Sequence, residues 1–130
     1  VMNSADLNRS IRDKFRWSLE LDPRYFMIAR CIAVSYYFHL NDEESNTWLG
    51  FSIKEIKGIA DDYKIHCLNG ESENDYENLL DEMVEMGILS KPDSEKNLYR
   101  LRRSSFINII GSDFDAVDAD IVNNNQEADR

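Results

Sequence analysis

Apolar residues recur along this chain at helical spacing, in blocks separated by short polar or glycine-containing breaks. From Ser4 to Glu20, Leu7, Ile11, Phe15 and Leu19 stand at four-residue steps with Asn8, Arg9, Arg12, Asp13 and Arg16 between them. That spacing predicts an amphipathic helix. Ser4 is placed to accept from the first-turn amides, with Asp6 at the positive end. Asp22-Pro23 starts a second helix, because aspartate caps orphan amides and proline at the first helical position has no amide to lose. It is predicted to run to about Leu40. Its two apolar stripes, Tyr25/Ile28/Ala29/Ile32/Tyr36 and Met27/Cys31/Val34/Phe38, leave little of its circumference polar. Such a helix is the middle of a small core, or else offers one face to another domain or subunit.

The polar run Asn41 to Asn46 reads as a solvated loop, and Trp48 to Phe51 as a short extended piece. Ser52 with Glu55 three positions on has the spacing of a capping box, and Ile53, Ile56, Ile59 and Ala60 predict a third helix over about Ile53 to Tyr63. After a turn at Lys64 to Glu71, the residues Tyr76, Leu79, Leu80, Met83 and Val84 predict a fourth helix from Ser72 to Met86, stopped by Gly87. Ile88-Leu89 and Leu98 to Leu101 flank polar turn residues and predict a β-hairpin. Phe106, Ile107, Ile109 and Ile110 predict one or two helical turns ending at Gly111. Beyond it, the aspartates between Asp113 and Asp120 and the run Asn123-Asn124-Asn125-Gln126 favour an acidic, flexible tail. A short helix carrying Phe114, Val117 and Ile121 on one face is the lesser alternative. The expected division is an N-terminal amphipathic helix over residues 1–22, a domain over 23–111 and a tail over 112–130.

A chain of 130 residues suits one core. Its 15 basic and 25 acidic residues give a formal charge of −10, which argues against a surface that attracts nucleic acid everywhere. The longest apolar stretch is interrupted by Arg30, Ser35 and His39, so no membrane span is expected. No secretory leader pattern opens the chain, and two cysteines make no disulfide framework, so a reducing, cytoplasmic setting is expected. Without a leader, the glycosylation triplet Asn8-Arg9-Ser10 has no use.

Candidate chemistry is sparse. His66-Cys67 is the single adjacent pair of its kind, and with His39 and Cys31 it lacks the spacing of a zinc site. Asp113, Asp115, Asp118 and Asp120 fail as a calcium loop, because Asp118 stands where glycine is needed and Asn124 where glutamate is needed. No catalytic residue, metal or cofactor is expected. Trp17, Trp48, Tyr36 and Tyr37 read mainly as packing residues.

The order helix, short strand, helix, turn, helix, two-stranded hairpin resembles that of winged-helix domains over roughly Pro23 to Gly111. The run Leu79-Leu80-Asp81-Glu82-Met83-Val84-Glu85-Met86-Gly87-Ile88-Leu89, a helix ending in glycine and leading into a strand, carries that likeness best. The implied fold is mainly α with a small β-hairpin, a winged helix-turn-helix with an extra N-terminal helix. Leu19-Glu20-Leu21-Asp22-Pro23-Arg24-Tyr25 and Tyr99-Arg100-Leu101-Arg102-Arg103-Ser104-Ser105-Phe106-Ile107-Asn108-Ile109-Ile110-Gly111 also resemble the C-terminal winged-helix region of some bacterial ATPases. The chain holds no Gly-x-x-x-x-Gly-Lys-Ser/Thr, so the resemblance implies an ATPase core upstream or in another chain. A start at Val1-Met2 fits an excised fragment.

In DNA-reading winged helices the third helix of the domain enters the major groove. Here its counterpart carries Glu71, Glu73, Asp75, Glu77, Asp81, Glu82 and Glu85 and neither lysine nor arginine. Like charges 4 Å apart repel by about 1 kcal/mol even in bulk water. The leading expectation is therefore a noncatalytic regulatory or assembly module. Glu73, Glu77, Asp81 and Glu85 would meet a basic protein surface, such as its own upstream ATPase domain. The alternative is a DNA-binding module gripping phosphates through Lys91, Lys96, Arg100, Arg102 and Arg103 on the wing, extended by Arg9, Arg12, Lys14 and Arg16. Those cations would otherwise only neutralise the acidic helix. Self-association through the doubly apolar second helix is a third expectation.

Overall fold

The computed structural model describes residues 4–40, 49–93 and 95–128. The elements run α1 (Ser4–Glu20), α2 (Pro23–His39), β1 (Phe51–Ser52), α3 (Ile53–Tyr63), α4 (Glu73–Glu85), β2 (Leu89–Ser90), β3 (Leu98–Leu101), α5 (Phe106–Ile110) and α6 (Phe114–Ala128). A single 3-10 turn, His66–Leu68, lies between α3 and α4. The fold is mainly helical with one small antiparallel sheet. The cap expected at Ser4 and the loop expected at Asn41 to Asn46, together with Trp48, lie outside the described residues and side chains.

Asp22 caps α2 by accepting from the Arg24 amide at 2.9 Å, and the Arg24 guanidinium returns to the same carboxylate at 2.7 Å. That fork, more than the amide, holds the Asp22 carboxyl below the usual carboxylate range. From this cap α2 runs through the middle of the molecule, and Tyr25, Met27, Ile28, Ala29 and Cys31 to Ser35 are all buried. Its two apolar stripes are covered by α1, α3, α5 and α6 as far as Val34, whereas Tyr36 is half-buried and Phe38, the last residue of the second stripe, is exposed. The stripe of α1 engages only toward its C-terminal half: Phe15 and Leu19 are buried, Ile11 is half-buried and Leu7 is exposed. Phe15 stacks on Phe106 of α5 at 3.8 Å between ring centroids, which ties α1 to the far end of the chain.

The sheet has the order β1-β3-β2, with Phe51 opposite Tyr99 and Leu89 opposite Leu101. Along β3, Tyr99 and Leu101 face the core while Leu98 and Arg100 are half-buried, the expected two-residue alternation. Gly50 (φ +97°) lets the chain pass close to β3, because a Cβ there would stand 2.5 Å from the Tyr99 carbonyl oxygen. Gly87 (φ +81°) ends α4: its amide donates to the Val84 carbonyl, and that of Ile88 to the Met83 carbonyl.

Two expectations change. The capping box at Ser52 is only half made: its hydroxyl accepts from the Glu55 amide, but the Glu55 carboxylate turns away to Ser35 Oγ at 2.8 Å and His39 Nε2 at 2.9 Å. Ser35 is a buried polar side chain in α2, and a carboxylate from α3 satisfies it.

The second correction is larger. The flexible tail expected over 112–130 gives way, over its described residues, to a helix, Phe114–Ala128, that packs along α2 with Val117 and Ile121 fully buried. Each of the four aspartates has a local role. Asp113 accepts from the Ala116 amide, and Asp115 lies in the positive first turn. Asp118 accepts from the Tyr63 hydroxyl at 2.5 Å, and the charge of Asp120 favours the Arg30 cation against its burial. Asn125 holds the end of α3: its side-chain amide donates to the Tyr63 and Lys64 carbonyls, and its oxygen accepts from the His66 amide.

Candidate functional site

Ser72 opens α4 with a complete capping box, its hydroxyl accepting from the Asp75 amide at 3.1 Å while the Asp75 carboxylate accepts from the Ser72 amide at 2.9 Å. Those bonds hold the Asp75 carboxyl below its ordinary range. Tyr76, Leu79, Leu80 and Met83 form the buried stripe that seats the helix against α3 and β2. Two carboxylates serve the fold. Asp81 accepts from the Tyr99 hydroxyl at 2.6 Å and lies 4.0 Å from Lys91 Nζ, and Glu82 accepts from the Tyr25 hydroxyl at 2.5 Å. Glu73 and Glu85 are exposed and Glu77 half-buried. Of the four candidate protein-binding residues, then, Glu73, Glu77 and Glu85 form the outward acidic face, while Asp81 belongs to the joint between α4 and the hairpin.

The five candidate cations of the hairpin do not make one patch. Lys91 donates to Asn97 Oδ1 at 3.1 Å and lies 5.1 Å from the centre of the Tyr99 ring, toward α4. Arg100 donates to Ser90 Oγ at 3.3 Å across the two strands. Lys96 is exposed in the loop. Arg102 and Arg103 lie past the end of β3, where they line a cleft of about 220 Å³ with Lys14 and Ser18 of α1 and with Met86 and Gly87 at the end of α4, and Arg103 also lines a pocket with Arg100. A second cleft of about 220 Å³, lined by Asn8, Arg12, Arg103 and Ser105, continues along α1. Arg12 and Lys14, two of the four cations expected to extend the wing from α1, are thereby brought to Arg102 and Arg103. Arg9 and Arg16 line neither cleft.

Burial pushes the Cys31 thiol up to about 12 and also raises that of Cys67, so neither supplies a thiolate near neutral pH. Among the described residues no cluster of three or more His, Cys, Asp or Glu is placed to hold a metal ion. No described helix is long and apolar enough to cross a membrane. Tyr36 and Tyr37 are half-buried in an edge-to-face pair, and Tyr37 donates to the Gly111 carbonyl at 2.7 Å. Trp17 departs from a packing role, being 68% exposed.

Sequence reasoning missed the three tyrosine–carboxylate bonds, to Asp81, Glu82 and Asp118, because their partners lie 18 to 57 residues apart. The convergence of Arg12 and Lys14 on Arg102 and Arg103 had a signal, four cations in α1, but no indication of which two would face the chain's far half. Comparison of the chain with known protein families, curated proteins and solved structures finds no match.

Proposed function

We propose that this chain is a noncatalytic winged-helix interaction module, a regulatory or assembly domain of a larger cytoplasmic ATPase or regulator, that docks through α4 on a basic protein surface. The element order from α2 to β3 and the strand order β1-β3-β2 support the winged-helix reading. In that arrangement α4 occupies the place of a groove-reading helix. The observation that carries the reading is its outward face, where Glu73, Glu77 and Glu85 stand without a single lysine or arginine on the same helix. A duplex presents one negative charge per about 1.7 Å of axis, so each of these carboxylates would meet repulsion there. Against a basic protein surface the same carboxylates steer encounter and fix register more than they add affinity. The free, largely shielded thiols of Cys31 and Cys67 suit a reducing compartment.

The experiment is site-specific photo-crosslinking in cells, with the reactive side chain placed at position 77 or, separately, at position 104. Position 77 is expected to capture a protein through a basic surface, and Glu73→Lys with Glu85→Lys should abolish capture while leaving the helical circular dichroism unchanged. Capture of nucleic acid from position 77, or protein capture insensitive to those reversals, would overturn the reading.

A further inference from the structure

We propose that the trough between α1 and the β3–α5 turn, which reaches Met86 and Gly87 at the end of α4, binds the phosphodiester backbone of nucleic acid. The two clefts along α1 share Ile11, Arg103 and Phe106, so they form one elongated depression instead of two pits. Arg12, Lys14, Arg102 and Arg103 stand along it and are all exposed. No Asp or Glu lines either cleft among the described residues, although the chain carries 25 of them. Nor, among the described residues, does any of the four cations enter an ion pair. Four uncompensated cations in one groove of a chain with net charge −10 form a local exception to its electrostatics.

The shape favours a polymer over a single anion. From Asn8 to Ser18 the trough follows ten steps of α1, about 15 Å at 1.5 Å per residue. That length exceeds a single anion and suits a stretch of polymer backbone with several successive charges. Its floor is apolar, with Ile11 and Phe106 in both clefts, so the cations sit on rigid, packed elements: Phe106 is stacked on Phe15, and the Arg102 amide donates to the Ile88 carbonyl at 3.0 Å. Guanidinium groups fit phosphate oxygens in pairs, and three of the four cations are arginines. The exposed hydroxyl of Ser105 and the exposed side-chain amide of Asn8 supply uncharged polar edges to the same groove. None of these residues reads base edges, so binding is expected to be indifferent to sequence.

The test is fluorescence anisotropy of the whole chain with labelled 20-nucleotide duplex and single-stranded DNA between 50 and 200 mM salt. Engagement of four phosphates predicts a log–log slope near −3.6 on duplex and near −2.8 on single strands, about 150-fold and about 50-fold loss over that range, so the slope distinguishes the two forms. Arg12→Ala with Lys14→Ala, and Arg102→Ala with Arg103→Ala, should each cut the slope by about half, whereas Arg9→Ala with Lys96→Ala, matched in charge, should change affinity less than about threefold. Arg102→Lys with Arg103→Lys should keep the slope, which separates lost charge from lost fold. Absence of binding at 25 mM salt, or equal weakening by the matched control, would overturn the proposal. Charge reversal on α4 tests the protein-docking reading independently.

Discussion

Tyrosine hydroxyls do much of the joining between elements in this molecule. Tyr25 donates to Glu82 at 2.5 Å, Tyr63 to Asp118 at 2.5 Å and Tyr99 to Asp81 at 2.6 Å, each from one helix or strand to another. The hydroxyl of Tyr76 is buried with no partner among the described residues. Removing a bonded hydroxyl and removing an unpartnered one should therefore differ in sign. Tyr25→Phe and Tyr99→Phe are expected to lower stability by about 1–2 kcal/mol each, and Tyr76→Phe to leave it unchanged or raise it, as urea unfolding will measure. The same bonds set a pH dependence. Burial, then the bond to Glu82, pushes the Tyr25 hydroxyl up to about 12 from its ordinary 10.0. A folded-state value above the unfolded one means a contribution fully present below pH 10 and lost as pH rises from 10 to about 12. Asp22 works in the opposite sense. Its value is lowered by Arg24, so its contribution is present above the unfolded value of 3.8 and is lost as pH falls through the folded one. Stability followed by circular dichroism should thus fall at both extremes, and Tyr25→Phe should flatten only the alkaline side.

At the scale of elements, α1 to α5 and the hairpin are legible because apolar spacing, caps and Gly87 agree with one another at each boundary. The sixth helix is legible only as the lesser alternative, since four aspartates within eight positions look like a solvated tail until their partners are seen. Tyr63 and Arg30, which meet Asp118 and Asp120, come from α3 and α2, and nothing local to residues 113–120 announces them. Only the four-residue step from Val117 to Ile121 signals a buried face, and two residues are a weak signal. Ile121→Ala should cost about 2–4 kcal/mol, a value a solvated tail could not give. Gly111→Ala should also destabilise, because its Cβ would lie 2.5 Å from Val117 Cγ2 and force α6 away from the turn. The capping pattern at Ser52 shows the converse: its spacing is right, yet Glu55 meets the stronger demand of a buried Ser35.

Over the whole molecule, charge is unevenly spread: α4 carries carboxylates and neither lysine nor arginine, while the clefts along α1 are lined by cations and no carboxylate among the described residues. The net −10 is legible from composition, and so is the acidity of α4, but the sorting of the cations is not. Arg102 and Arg103 line the cleft beside α1, Arg103 also lines a pocket with Arg100 against Tyr36 and Phe51, and Lys91 lies over the Tyr99 ring beside Asp81, so the cations divide by the neighbours they pack against. Asp81 shows the same limit on the acidic side. It looks like its neighbours in sequence yet anchors Tyr99, so Asp81→Lys should destabilise the fold, whereas Glu73→Lys, Glu77→Lys and Glu85→Lys together should leave the thermal midpoint nearly unchanged.

The most direct measurement of this uneven spread is amide NMR shift mapping of the chain titrated separately with a ten-residue lysine peptide and with duplex DNA. Two different footprints are expected: the peptide perturbs residues 73–85, and the duplex perturbs residues 8–18, 86–87 and 102–106. Duplex-induced shifts running along α4, with its carboxylates drawn to the nucleic acid, would contradict it.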